Sequence, residues 1–230
     1  MTDIVSRNEW LEKRLELLAE EKQFSKTRDA LSAKRRALPK VRLDTDYMFT
    51  GASGAVSMDD LFGNCSQLIV YHFMYGPDWD AGCPSCSYWA DNFSGTVAHL
   101  NARDAAFAVV SAADFATLAA YQNRMGWDFT WVSAKGSTFN QDFRVSFTEE
   151  EQNSGKPIYN FNTGGFPSSE APGISVFLRD ETGIYHTYST FARGLDMMNG
   201  AYHYMDLLPK GRDEAGLAHS MAWLRRRDEY

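Results

Sequence analysis

The run Gln67-Leu-Ile-Val-Tyr-His-Phe-Met-Tyr75 is short, β-branched and aromatic, and reads as a buried strand. A loop, Gly76-Pro-Asp-Trp-Asp-Ala-Gly82, separates it from Cys83-Pro-Ser-Cys86. Trp89, Phe93, Val97 and Leu100 then repeat at helical spacing. Pro84 falls in the first turn, where a helix tolerates proline best. The two cysteines thus stand at a strand-to-helix junction. Unpaired backbone N–H groups and the positive dipole end favour a thiolate on the first cysteine there. The second is one turn on, within reach of a mixed disulfide formed on the first. In this reading Cys83 is the nucleophile and Cys86 the resolving thiol. Asp78 and Asp80 lie just upstream, and a nearby carboxylate raises a thiol pKa. No Lys, Arg or His stands between the cysteines, so a modestly lowered pKa and a reducing couple are expected.

Downstream, Ala106–Val110 reads as a second strand and Phe129–Val132 as a third. Between them Asp114 can cap a helix carrying Phe115, Leu118 and Met125, with Gly126 closing it. Residues 135–170, rich in Gly, Ser, Asn and acids, read as an irregular insertion with a helical turn opening at Thr148-Glu-Glu-Glu151. Gly173–Leu178 and Ile184–Tyr188 flank an Asp/Gly turn and predict a hairpin. A final amphipathic segment, Gly216–Arg227, is expected to be helical. Upstream, Trp10, Leu17, Phe24, Leu31 and Leu38 recur every seven residues, an apolar stripe on a long helix ending before Pro39. The companion heptad position is polar (Lys13, Glu20, Thr27, Lys34), which disfavours a true coiled coil. The helix is expected to dock on its own domain or to exchange between protomers. Val41–Phe49 reads as an extended linker. The whole predicts a helical arm over 1–38 and, over 39–230, an α/β domain whose central mixed β-sheet is flanked by helices.

With 230 residues, 44% of them hydrophobic, the chain can bury one good core. Its net charge is −7. Residues 1–40 hold 10 basic against 7 acidic residues, and the remainder 13 against 23, so the body is strongly acidic. An acidic body argues against nucleic acid as a partner, because phosphate affinity needs a basic face, and the basic arm that could oppose this has acids interleaved throughout. No basic start followed by an apolar run opens the sequence, and no stretch is long enough to span a bilayer. A cytoplasmic protein with no membrane partner is the expectation. Three cysteines in such a chain are no disulfide scaffold.

Pro172 directly precedes the Gly173–Leu178 strand. Here the sequence resembles the thioredoxin superfamily, which implies a cis-proline at Pro172 facing the cysteine pair and shaping a substrate groove. It is more closely similar to a bacterial family of predicted dithiol-disulfide oxidoreductases with a thioredoxin-like fold. Tyr71-His-Phe-Met-Tyr-Gly-Pro-Asp-Trp79, Gly82-Cys-Pro-Ser-Cys-Ser87, Arg124-Met-Gly-Trp127, His186-Thr-Tyr-Ser-Thr190, Ala192-Arg-Gly-Leu-Asp196 and Pro209-Lys-Gly-Arg-Asp-Glu214 carry that likeness. The resemblance implies a thiol-disulfide oxidoreductase whose insertion precedes the cis-proline strand. Its partners would be a disulfide-containing protein or small thiol and an external reductant. Two departures stand out: Gly82-Cys-Pro-Ser-Cys86 replaces Trp-Cys-Gly-Pro-Cys, and the preceding loop is longer. Thioredoxins carry a buried acid in the strand before the motif; alignment puts His72 there, a candidate proton relay to Cys86, although an isolated strand histidine is more often a hydrogen-bonded core residue.

Trp79, Pro84, Ser85 and Pro172 form the candidate substrate surface, while Trp89 fits the core better. Three rivals remain. A thiol peroxidase would need Thr or Ser three residues before Cys83, where Asp80 stands. A binding module or redox sensor would use the groove without turnover. A zinc site would need Cys65, His72, His186 or His203 to complete four ligands, and neither a second C-x-x-C nor closely paired histidines supply them. Cys65 is most simply a small core residue. No cofactor is expected: Gly51-Ala-Ser-Gly54 lacks the G-x-G-x-x-G spacing of a nucleotide loop. The N-terminal stripe makes a homodimer a candidate assembly.

Overall fold

The computed structural model describes residues 3–155, 158–162 and 165–230. The chain divides into two compact units, Met1–Pro39 and Lys40–Tyr230. The first is one helix, α1 (Arg7–Arg36), opened by a capping box between Ser6 and Glu9. Lys34, Arg35 and Arg36 occupy its last turn, where cations suit the helix dipole. None of its residues is buried.

The second unit is built on an eight-stranded sheet of β1 (Val41–Arg42), β2 (Met48–Gly51), β3 (Gly54–Ser57), β4 (Gln67–His72), β5 (Ala105–Ser111), β6 (Thr130–Ser133), β7 (Gly173–Asp180) and β8 (Gly183–Phe191). Their order is β1-β8-β7-β4-β5-β6-β2-β3. β4, β5 and β6 run parallel, and the β7–β8 hairpin joins β4 antiparallel. The helices are α2 (Pro84–Ala90), α3 (Ser94–Asn101), α4 (Phe115–Met125), α5 (Phe139–Asp142), α6 (Glu149–Asn153) and α7 (Gly200–Met205). The sequence β4-α2-α3-β5-α4-β6 followed by β7-β8 and α7, with the cysteines after the central strand, is the expected thioredoxin-like arrangement. Parallel strands need crossovers, and the helices supply them.

Side chains alternate across the sheet. Tyr71, Phe107, Val109, Trp131 and Ile174 point to one face and pack with Trp89, Leu118 and Tyr121 of α2 and α4. Leu68, Val70, Ala108, Val110, Val132 and Phe177 point to the other, against Phe49, Phe62 and Phe139. Both faces are thus dry, so β4 reads as a nearly continuous apolar run.

Several expectations are corrected. The Val41–Phe49 linker enters the sheet: β1 pairs β8, and β2 turns through residues 51–54 to pair β3. The helix over 84–100 breaks at residues 91–93, where Asn92 Nδ2 donates to the Tyr88 and Trp89 carbonyls, a side-chain substitute for backbone bonds. Asp114 occupies the N-cap of α4, yet its carboxylate pairs with Lys135 (2.6 Å) instead of capping. Gly126 does close that helix, at φ +66°. No α-helix forms over 216–227. There the Glu214 carboxylate accepts from Tyr202 Oη (2.9 Å), the Met221 N–H (3.0 Å) and Trp223 Nε1 (2.8 Å), and Met221 is held at φ +68°. Tertiary anchoring overrides helical periodicity. The short helix instead is α7, capped by Asn199. No described peptide bond is cis, so Ala171–Pro172 is trans, the form that X–Pro bonds favour; Tyr159 Oη donates to the Pro172 carbonyl (2.6 Å).

Residues 156, 157, 163 and 164 of the expected 135–170 insertion lie outside the described residues. The rest of it is not purely irregular. Thr148 and Glu151 form a capping box on α6, as the sequence suggests, and Val145, Phe147 and Tyr159 make a small core with Ala171 and Phe191. Ser146 pairs with Glu170 and donates to its carboxyl at 2.6 Å. Burial raises that carboxyl to about 7, the Ser146 bond opposing. Below the ordinary value of 4.5 the folded and unfolded chains both hold the proton, and Glu170's contribution to stability is full. It is lost as pH rises from 4.5 through 7, about 3 kcal/mol in all. Glu170→Gln should therefore melt near wild type at pH 4.5 and several degrees higher at pH 8; an identical pH profile would contradict this.

Candidate functional site

Cys83 lies at the N-cap of α2 and Pro84 at its start. Its backbone is fixed from both sides: the Cys83 N–H donates to the Met74 carbonyl (3.1 Å), and its own carbonyl accepts from the Ser87 N–H and Oγ, both at 2.9 Å. Ser87 Oγ also meets Tyr121 Oη at 2.8 Å. Gly82 is required sterically. A Cβ there would lie 2.8 Å from Phe73 Cε1 and 2.9 Å from Tyr121 Cε1. The Gly82 carbonyl accepts two bonds from the Arg226 guanidinium (2.9 and 3.1 Å), which Glu229 holds at 2.8 Å. The segment expected to be a terminal helix is thus an irregular strap of turns that clamps the loop before the cysteines.

The two sulfurs differ sharply. Cys83 is half-buried, and its thiol is lowered from 9.0 to about 6. The hydrogen bond from Cys86 is the main cause; the N–H groups of Cys86 and Ser85 add to it, and burial opposes them. Asp78 and Asp80 do not figure among the causes, so the fall is larger than the modest one expected. Cys86 is buried, and its thiol is pushed well above its ordinary value by desolvation and by Cys83. Two donors work the other way on Cys86: the Tyr71 hydroxyl and the Met74 N–H, the latter 3.4 Å from Sγ. One sulfur carries the charge and the other keeps the proton.

Cys83, Ser85, Cys86 and Pro172 share one cavity of about 450 Å³, with Tyr71 and Met74 beside them. Other expected site residues fall elsewhere. Pro84 starts the helix and does not line the cavity. Trp79 folds over Gly76 and lines a second cavity, of about 390 Å³, with Lys135 and Glu170. His72 faces the opposite side of the sheet, between Phe139 and Phe143, with Nε2 2.8 Å from Ser175 Oγ. Burial holds it neutral, lowering it to about 3. The strand residue facing Cys86 is Tyr71, one position earlier. Strict alternation from Phe73 would have found it; alignment to a thioredoxin acid misses it by one residue, and a one-residue slip reverses the face. Cys65 borders the other core and lines a third cavity, of about 660 Å³. Among the described residues no group of three His, Cys, Asp or Glu could hold a metal ion, and no helix is long and apolar enough to cross a membrane.

The chain belongs to the family described as "Bacterial protein of unknown function (DUF899)", which matches residues 1–230. No curated protein matches it. Among solved structures it is similar to a peroxiredoxin Q variant of Xanthomonas campestris (12% identity, 73% of this chain and 98% of that one, TM-score 0.48). It is also similar to the peroxidoxin BcpB of Mycobacterium tuberculosis (14% identity, 70% and 93%, TM-score 0.48). A third likeness is to a putative thiol:disulfide interchange protein DsbE of Chlorobium tepidum (15% identity, 70% and 95%, TM-score 0.41).

The asymmetry of the thiols gives a direct test. Alkylation of Cys83 by iodoacetamide, followed by mass spectrometry across pH, should reach half its maximal rate near pH 6 rather than pH 9. Cys86→Ala removes the main cause and should move that midpoint up by about one pH unit or more. A midpoint near 9 in wild type would contradict this electrostatic assignment.

Proposed function

We propose that this member of the family is a dithiol-disulfide oxidoreductase in which Cys83 attacks and Cys86 resolves. The observation that carries the reading is the split between the two thiols: a half-buried Cys83 lowered to about 6 beside a buried Cys86 pushed up. The Cys83 thiolate attacks one sulfur of a substrate disulfide, forming a mixed disulfide and expelling the first product thiolate. With the Cys83 charge gone, one cause of the raised Cys86 pKa disappears, and the Tyr71 and Met74 donors favour its thiolate. Cys86 gives its proton to the departing thiolate, attacks the Cys83 sulfur and expels the second thiolate. The substrate gains two electrons and the pair becomes a Cys83–Cys86 disulfide, which an external dithiol returns to the reduced form. The chemistry needs no bound cofactor, and a reducing compartment such as the cytoplasm would supply the reductant. Asp80 offers no hydroxyl three residues before Cys83, which disfavours the peroxidase alternative.

A homodimer through α1 is part of the same reading. Its stripe (Trp10, Leu17, Phe24 and Leu31) lies exposed along a helix that buries none of its residues, and a single helix burying nothing is marginal in water. Removing residues 1–38 should convert a dimer to a monomer in sedimentation; an unchanged state would count against it.

Trapping tests the chemistry. Cys86→Ser should accumulate a mixed disulfide on Cys83 when offered a disulfide substrate, Cys83→Ser should capture nothing, and Cys65→Ser should behave as wild type. Capture by Cys83→Ser, or stoichiometric zinc with no reversible Cys83–Cys86 disulfide in wild type, would overturn the proposal.

A further inference from the structure

The cavity that holds both sulfurs has walls that the redox step itself does not require. Its floor is Tyr71 and Met74, the latter just past β4, and Trp89 of α2. One wall is Phe166, Pro167 and Pro172, from the segment leading out of the insertion into β7. The other is Leu195 and Met221, the latter from the C-terminal strap. Trp89 is locked in place by its Nε1 bond to the Leu195 carbonyl (2.8 Å), and Tyr88 packs on Trp223 of the strap (ring centroids 5.8 Å). The insertion and the strap therefore border the cysteines on two sides, and the half-buried Cys83 faces an apolar cleft between them.

Charge in this cavity is self-cancelling. Arg193 and Asp196 line it, and the Asp196 carboxylate accepts from Arg193 (3.1 Å) and Arg212 (3.0 Å). Arg212 in turn is held by Asp206 at 2.8 Å. Each arginine beside the cavity is matched by a carboxylate, and Asp196 itself lines it, so an anion such as the glutathione dimer meets no net positive charge there. A loop of a folded protein would bring backbone N–H and C=O groups against aromatic and aliphatic walls, where each unpaired polar group is costly. A volume of about 450 Å³ lies in the range of pockets that enclose small organic molecules.

Resting on the redox reading above, we propose that the substrate is a small disulfide bearing apolar alkyl or aryl groups, held against these walls, and not glutathione disulfide or a protein disulfide. The step is the one already balanced. The Cys83 thiolate cleaves the S–S bond of the substrate, one apolar thiolate leaves and is protonated by Cys86, and closure of the Cys83–Cys86 bond releases the second. The reduced protein is itself the two-electron donor, so one turnover needs no further reductant.

The test uses the full chain, pre-reduced, in a single turnover with dibenzyl disulfide in aqueous ethanol, oxidised glutathione or insulin. Formation of the Cys83–Cys86 disulfide is followed by acid quench and mass spectrometry. Each rate is divided by that of dithiothreitol with the same probe, which removes intrinsic reactivity. The normalised rate with dibenzyl disulfide should exceed both others by about tenfold or more. Phe166→Ala and Met221→Ala, both at partly exposed wall positions, should lower it by roughly threefold or more while leaving the pH midpoint of Cys83 alkylation by iodoacetamide where it is in wild type. Equal or faster reaction with oxidised glutathione or insulin, or wall variants with no effect, would overturn the substrate assignment and leave the redox reading standing. If none of the three probes produces the Cys83–Cys86 disulfide, both fall together.

Discussion

β4 is paired on both sides, parallel to β5 and antiparallel to β7, and both of its faces are packed. That double pairing leaves it no freedom of register, because a slip of one residue would exchange the two cores. Everything in the site is measured from its end. The chain leaves β4 through Phe73 and Met74, and Met74 holds both cysteines: its carbonyl accepts from the Cys83 N–H, and its N–H donates to Cys86 Sγ. The cysteine loop is therefore fixed to the most constrained strand of the sheet. The strap adds a second anchor at Gly82, where glycine alone allows the approach of Phe73 and Tyr121.

From that geometry the electrostatics follow. Two thiols sharing one hydrogen bond in a desolvated turn cannot both ionise, so the pair settles with its charge on the sulfur that has the N–H groups of Ser85 and Cys86 around it. Cys86 is deeper and keeps its proton. Tyr71 belongs to this balance as a donor: burial pushes its own hydroxyl well above 10, so it can hold Cys86 but cannot accept its proton. Where the sequence suggests a basic residue facing Cys86, the structure places a neutral donor, and His72 is neutral too, on the far side, in a chain of contacts through Ser175 and Ser189 to His186.

Much of this was legible in the sequence where local signals and tertiary demands agree. The apolar run of β4, the proline after Cys83, the glycine closing α4 and the Asp/Gly turn of the hairpin each say locally what the fold says globally. The failures come where they disagree. A helix period over 216–227 is overruled by the three bonds that Glu214 makes, and the helix over 84–100 is cut by Asn92. The two short strands at β1 and β2 carry too few residues to show a period, so they read as linker. Trp79 reads as a binding residue because it sits in a polar loop, but the loop folds it over Gly76, where it lines a different cavity from the one holding the cysteines. The cavity walls were not readable at all, since Phe166, Leu195 and Met221 come from three distant segments that no spacing rule connects.

The proposed chemistry stands or falls with Cys83 and Cys86 forming a reversible redox couple. The measurement that tests it most directly is an equilibrium titration of the full chain against defined ratios of reduced and oxidised dithiothreitol, with the 83–86 disulfide quantified by peptide mass spectrometry. A single two-electron transition confined to that pair is expected, complete in both directions, with Cys65 remaining a free thiol throughout. A disulfide that never forms, or that joins Cys65 to either partner in preference, would contradict it.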